Sequence, residues 1–154
     1  MDKLPASATP NVDHAVGFPF NIRRSLGGWK FLFARDAWVM PAATPEVERG
    51  RYIVEGMAHC GECHTPRNLL GGLTKSKWLA GAPLPDGPGK VPNITPGRLT
   101  WSDADIAAYL TTGFTPDFDV VGGSMAHVVQ NMSRLPASDV AAVVAYLKTV
   151  PAIP

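Results

Sequence analysis

Met57–Asn68 reads "MAHCGECHTPRN" and holds both cysteines and two of the four histidines of the 154-residue chain. Within it, residues 60–64 form the pattern C-x-x-C-H. Two thiols three positions apart share one side of a helical turn, and an imidazole follows at once. This concentration of ligand-type side chains places the chemistry of the chain at one turn.

C-x-x-C-H is the pattern of c-type haem attachment. Each thiol can add across one vinyl group of the same porphyrin, and the following imidazole then lies beneath the iron as its proximal ligand. The pattern therefore predicts one covalent haem c with its iron, bound through Cys60, Cys63 and His64.

Three other interpretations of the pattern remain. A thioredoxin-type pair normally follows a strand in a βαβ unit, and the sequence predicts no such unit. A zinc site would need Cys60, Cys63, His64 and His59 together, which crowds four ligands into six residues. A structural disulfide would leave His64 unexplained.

Composition limits the class of protein. The length suits one domain with its own core, and 45% hydrophobic residues indicate a globular chain. A net charge of +1 without a basic block argues against nucleic-acid binding. No apolar run reaches the ~18 residues of a membrane span. The polar N-terminus carries no signal sequence. Because haem c is attached on the oxidising side of the bacterial membrane, we expect the natural gene to encode a signal or anchor.

Helix signals recur along the chain, whereas period-two strand patterns are nearly absent. Thr44 as N-cap and Pro45 predict a helix over 45–58, and Ser102 with Gly113 brackets another. Further helices are predicted near 29–38, from Met125 and over 137–149. The dense Gly and Pro content between 71 and 97 predicts long loops. The fold class is therefore all-α.

Several segments resemble class I cytochrome c, and in particular the haem domains of cytochrome subunits of bacterial periplasmic and membrane-bound dehydrogenases for alcohol, aldehyde, gluconate and sorbitol. The resemblance covers roughly residues 44–151. Its motifs are "ERGRYIVEGMAHCGECHTPRN", "VPNITP", "WSDADIAAYLTTG" and "GGSMAHVV…LPASDVAAVVAYLKTVP". Unlike multi-haem members, this sequence has one C-x-x-C-H.

The resemblance implies a cytochrome c fold, with short helices and long loops wrapped around one haem. Residues 44–154 would form the mono-haem domain, and residues 1–43 an N-terminal extension packed on the core, with a partner-facing or membrane-surface patch as the alternative. Pro92 would accept a hydrogen bond from the proximal histidine. Donors at loop positions suited to the haem propionates are Arg67, Asn93, Arg98 and Trp101.

The sixth iron ligand must come from far along the chain, and the candidates are Met40, Met57, Met125, Met132, His14, His59 and His127. Neighbours of the attachment site cannot reach round the porphyrin, and His14 and Met40 lie outside the recognisable domain. Among the remaining three, Met125 follows a glycine pair that lets the backbone approach a haem face. It also matches the ligand methionine of the family, and Met132 is better suited to the core.

With His64 and Met125 as metal ligands, the haem would carry single electrons and no residue would be catalytic. The resemblance implies a periplasmic or membrane-associated protein that is reduced by a dehydrogenase and oxidised by an oxidase or other respiratory complex. Further haem domains or an anchor would lie outside this chain. The alternative is a haem enzyme or gas sensor with an open distal site, such as a peroxidase-like protein.

Overall fold

The protein is described by a computed structural model, which covers residues 7–12, 15–34, 36–84 and 87–154. The chain divides into two compact units, Met1–Asp36 and Ala37–Pro154. The predicted helical class is confirmed, because helices dominate both units.

Among its described residues the first unit contains one helix, α1 (Arg23–Phe33), and no residue of this helix is buried. The helix was predicted near 29–38 and begins six residues earlier, running through Gly27 and Gly28. Neither glycine has a neighbour that an added Cβ would meet. The two glycines therefore weaken the helix without ending it. His14 lies outside the described residues.

The second unit starts at Ala37, before the predicted boundary at residue 44. Met40 and Ala42 pack against the core of this unit. That the segment before Ala37 covers the core stays a prediction. The elements of the second unit are α2 (Pro45–Arg51), a π-helical segment (Tyr52–Met57), α3 (Gly61–His64), a 3-10 turn (Lys75–Lys77), β1 (Ala82–Pro83), β2 (Lys90–Val91), α4 (Asp103–Thr112), α5 (Met125–Met132) and α6 (Ala137–Thr149).

Local sequence signals account for the helix ends. The Thr44 hydroxyl accepts a hydrogen bond from the Val47 amide at 3.2 Å, which caps α2. Ser102 and Asp105 form a reciprocal capping box at the start of α4. Gly113 ends α4 in the left-handed conformation, with φ of 81°. The only strands among the described residues, β1 and β2, pair antiparallel over two residues each.

Helices α2 and α6 pack directly against each other, and Gly50 lies at the point of contact. A Cβ on Gly50 would come 2.0 Å from the Ala142 carbonyl oxygen and 2.7 Å from the Tyr146 Cβ. Glycine is therefore required for the two backbones to approach this closely. This contact anchors the helix that leads to the C-x-x-C-H turn.

The predicted helix over 45–58 exists, but its second half is wound as a π-helix. The Ala58 amide donates to the Ile53 carbonyl at 2.7 Å, five residues back. His59 follows with a positive φ of 39°, so the helix ends there and the chain turns into α3. Among the described residues, no helix is long and apolar enough to cross a bilayer.

Candidate functional site

The C-x-x-C-H turn forms the short helix α3, held by hydrogen bonds from the His64 amide to the Cys60 carbonyl at 3.0 Å and from the Thr65 amide to the Gly61 carbonyl at 3.1 Å. Neither cysteine is in a disulfide. Cys60 is half-buried and Cys63 is exposed. Burial raises the pKa of the Cys60 thiol to about 11, so this thiol is protonated at neutral pH. Two unpaired thiols thus flank one helical turn.

His64 is buried, and its Nδ1 lies 2.8 Å from the Pro92 carbonyl oxygen. Burial lowers the pKa of His64, and the hydrogen bond to Pro92 partly opposes that shift. A carbonyl can only accept, so in the neutral ring Nδ1 carries the proton and the lone pair lies on Nε2. The ring is thereby oriented by its neighbour and keeps one nitrogen available as a ligand.

The Trp78 indole packs on the backbone of the turn. A Cβ added to Gly61 would come 2.0 Å from Cη2 of this ring. Trp78 is almost fully buried, so it has little room to move aside. Gly61 occupies one of the two variable positions of the motif, and packing against Trp78 requires glycine there.

Further hydrogen bonds run from Trp78 away from the turn. Its Nε1–H donates to the Tyr146 hydroxyl at 2.9 Å, and that hydroxyl donates to Glu55 Oε1 at 2.7 Å. The backbone amides of Val39 and Met40 also donate to the Glu55 carboxylate. Burial, together with the neighbouring Glu55, raises the pKa of Tyr146 far above its ordinary value.

The candidates for the sixth ligand differ in their surroundings. Met125 is the first residue of α5, partly buried and packed against the same core as Cys60. Met132 is 5% exposed and belongs to that core, the environment expected of a packing methionine. His127 and Met57 are exposed.

The remaining predicted residues lie in the loops, and several side chains already have partners. The Arg67 guanidinium donates to the Gly71 carbonyl at 2.7 Å and pairs with Glu62. The side-chain amide of Asn93 donates through Nδ2 to the Ile153 carbonyl at 2.9 Å and thereby holds the C-terminal segment. These contacts show structural roles and leave the predicted propionate contacts as predictions.

Arg98 is exposed, and the Trp101 ring lies edge-on to Tyr109 with centroids 5.4 Å apart. Trp101 packs against the core, and its carbonyl oxygen accepts a hydrogen bond from the Lys148 amine at 2.6 Å. The structure brings Pro92 into contact with His64 as predicted. For Arg98 and Trp101, a role toward a cofactor stays a prediction.

The donor set suits a covalent haem. Cys60 and Cys63 are unpaired thiols on one turn, and His64 follows with its ring already held by Nδ1. Over residues 7–12, 15–34, 36–84 and 87–154, no three His, Cys, Asp or Glu side chains gather into a cluster suited to a metal ion. The residues at the turn therefore fit the group that the motif predicts.

Sequence reasoning missed Glu55, Thr65 and Trp78. Thr65 is 1% exposed, and its hydroxyl accepts a hydrogen bond from the Leu79 amide at 3.0 Å, which fixes the loop after the turn. One feature of the sequence could have indicated Glu55: it follows the apolar pair at 53–54 and so lies next to the buried face of its helix. Its partners, though, are distant in sequence.

Comparison with known proteins gives a consistent result. No family model matches the chain. It is 57% identical over 154 residues to a dihaem cytochrome c-type protein of Cereibacter sphaeroides, covering 99% of this chain and 52% of that protein. It is 40% identical over 159 residues to the fructose dehydrogenase cytochrome subunit of Gluconobacter japonicus, covering 99% and 32%. It is 33% identical over 175 residues to the cytochrome c subunit of the quinone alcohol dehydrogenase of Gluconobacter oxydans, covering 100% and 35%.

The chain thus spans about half the length of the dihaem relative and about a third of the other two. The resemblance predicted from the motifs is confirmed, because the homologues are cytochrome c subunits of dehydrogenases and a dihaem cytochrome c.

Proposed function

We propose that this homologue of dehydrogenase cytochrome c subunits binds one haem c through Cys60 and Cys63 and transfers single electrons. The iron would be held by His64 and Met125. The electron donor would be a periplasmic dehydrogenase, and the acceptor an oxidase or another respiratory complex. The protein would act as an electron-transfer subunit in the periplasm, with the catalytic chemistry performed by its partner.

The hydrogen bond between His64 and Pro92 carries this proposal. It fixes the tautomer and the plane of the ring before any metal is present, and it directs Nε2 away from the Pro92 loop. A second bond, from the Gly81 amide to the His64 carbonyl at 2.7 Å, fixes the backbone of the same residue. A histidine held at both its ring and its backbone suits an axial ligand that must stay still while the iron changes charge.

Met125 is the proposed ligand on the opposite side. It begins α5 directly after Gly122, Gly123 and Ser124, and the two glycines are exposed and have no neighbour within 4 Å of an added Cβ. The backbone before Met125 therefore has room to approach a flat cofactor. Bound haem supplies a one-electron couple whose potential is raised by methionine ligation.

The first experiment tests attachment. The chain is produced in a bacterial periplasm with an active c-type maturation system, and the intact mass is measured after denaturation. We expect one haem-sized increase over the polypeptide mass, lost in the Cys60→Ser, Cys63→Ser double variant. Folded, colourless protein without added mass would refute the proposal.

The second experiment tests the distal ligand with a matched pair, Met125→Leu and Met132→Leu. Both exchanges conserve volume, so both should fold. We expect the near-infrared sulfur-to-iron band of the ferric protein to vanish in Met125→Leu and to persist in Met132→Leu. A high-spin ferric spectrum in the wild type would instead favour the enzyme or sensor with an open distal site.

The third experiment tests the partner. The relatives named above belong by name to fructose and alcohol dehydrogenases, so purified dehydrogenases of these classes are the first donors to try. We expect substrate-dependent reduction of the haem, followed at its visible absorption bands. Absence of reduction by every periplasmic dehydrogenase tried, with haem intact, would contradict the proposed donor.

A further inference from the structure

A row of three side chains, two buried and one partly buried, links the π-helical segment to the C-x-x-C-H turn. It consists of Glu55, Tyr146 and Trp78, and we call it the Glu55 chain. Glu55 and Tyr146 are 91 positions apart in sequence, and Trp78 and Tyr146 are 68 apart. The proposed electron transfer gives these residues no role so far.

The hydrogen bonds of the Glu55 chain run from Trp78 through Tyr146 to Glu55. An indole N–H can only donate, so the Tyr146 oxygen must accept from Trp78. The Tyr146 proton is then free to point to Glu55, which accepts it at 2.7 Å. Glu55 also accepts from the Met40 amide at 3.0 Å and from the Val39 amide. The carboxyl group therefore accepts three hydrogen bonds and donates none, as an ionised carboxylate does.

The negative charge of Glu55 has only neutral groups among these partners. The three donors are two backbone amides and one phenol. Arg51 reaches the Met40 carbonyl at 3.2 Å, but its ion-pair partner is Glu48 at 3.6 Å. In a partly buried position a charge is less screened by solvent and salt, so its field extends further than that of a surface carboxylate.

The other end of the Glu55 chain touches the proposed haem site. Tyr146 is fully buried and Trp78 is 5% exposed, so no water layer separates them. The Trp78 ring rests on Gly61, between the two cysteines. The carboxylate is thus connected to the turn by rigid, well-packed groups.

We propose that Glu55 is a positioning residue that acts through Tyr146 and Trp78 on the C-x-x-C-H turn, and that its negative charge lowers the reduction potential of the haem held there. This inference rests on the proposed function. Reduction adds an electron to the iron centre, and a fixed negative charge nearby disfavours that addition. The same hydrogen bonds hold Trp78 against Gly61, so the carboxylate also maintains the shape of the turn.

The test compares the midpoint potentials of holoproteins. Glu55→Gln removes the charge and keeps the size of the side chain. We expect the equilibrium constant for reduction to rise about three- to tenfold, or about 28 to 59 mV at 59 mV per factor of ten. Glu46→Gln removes an exposed charge from the first turn of α2. We expect it to change the constant less than twofold. Glu55→Asp keeps the charge and should retain a potential close to that of the wild type.

Each outcome decides the inference. A raised potential in Glu55→Gln alone supports it, as does loss of covalent haem in Glu55→Gln with haem retained in Glu55→Asp. Equal shifts of the reduction potential in Glu55→Gln and Glu46→Gln would show that only the net charge of the protein matters, and would overturn the inference. An unchanged potential in Glu55→Gln, or loss of haem in Glu55→Asp as well, would also overturn it. A wild-type protein without covalent haem would instead refute the proposed function itself.

Discussion

Replacing Gly50 by alanine tests whether the crossing of α2 and α6 supports the site. The new Cβ would lie 2.0 Å from the Ala142 carbonyl oxygen, 1.4 Å closer than the 3.4 Å at which ordinary contact begins. Both obstacles, this oxygen and the Tyr146 Cβ, belong to or adjoin the backbone of α6, so no flexible side chain can yield. The two helices must separate instead.

The magnitude follows from two opposing effects. Alanine favours a helix over glycine by about 1 kcal/mol. Overpacking a well-packed contact costs about 1–3 kcal/mol and more where backbone must move, so the cost here should reach about 3–4 kcal/mol because two helix backbones must separate. We therefore expect Gly50→Ala to lower the free energy of unfolding by about 2–3 kcal/mol. At about 2–4 °C per kcal/mol for a chain of this size, the melting temperature should fall by about 4–12 °C.

Thermal unfolding followed by far-ultraviolet circular dichroism measures the effect, and Gly56→Ala is the matched control. Gly56 lies in the same continuous helical stretch, and its Cβ would meet only the Trp38 ring at 3.9 Å, an ordinary contact. We expect this control to be as stable as the wild type or slightly more stable. Equal melting temperatures for the two variants would refute the assigned close approach.

Three further predictions concern stability. The hydrogen bond from Arg49 lowers the pKa of Asp139. The stabilisation from the ionised Asp139 carboxylate is therefore present at neutral pH, and it is lost as the pH falls below the ordinary aspartate range and through the lowered pKa. The free energies of urea unfolding of Asp139→Asn and wild type should differ at pH 7 and converge at the lowest pH. Thr65→Val should cost about 1–3 kcal/mol in urea unfolding because the buried Leu79 amide loses its acceptor, whereas Thr65→Ser should retain most of the stability. Ser102→Ala should cost about 0.5–2 kcal/mol in the same assay through loss of the cap of α4, and a smaller loss than this would contradict the capping role.

Sequence signals located most helices of the second unit because their ends depend on neighbouring residues. The cap at Ser102 and the stop at Gly113 are local chemistry, and the predicted span 137–149 agrees with α6. The motif likewise predicted a helical turn at residues 60–64, and the resemblance predicted the Pro92 contact. Such features could be predicted since each depends on a few adjacent side chains or on a recognised pattern.

Two helices were predicted less accurately from the sequence, for different physical reasons. The helix predicted near 29–38 begins earlier, at Arg23, and α1 passes through Gly27 and Gly28 because glycine weakens a helix only by about 1 kcal/mol per residue. The π-helical winding of 52–57 has no clear propensity signal. It depends on which carbonyl each amide reaches, and that choice is decided by packing against α6.

The π-helical segment is a local irregularity that lies directly before the C-x-x-C-H motif. Widening the turn by one residue shifts every later side chain by about 100° around the helix axis relative to a regular α-helix. The Cys60 amide then donates to the Val54 carbonyl, six residues back, and His59 takes a left-handed φ that bulky residues avoid.

These departures have a cost in backbone energy, and the contacts formed within and after the segment offset it. Glu55, inside the π-helical segment, reaches Tyr146, and α3 begins where Trp78 can rest on Gly61. A regular helix through residues 52–60 would turn either Glu55 or the first cysteine away from these partners. The irregular winding is therefore the means by which one stretch of chain serves both the core and the C-x-x-C-H turn.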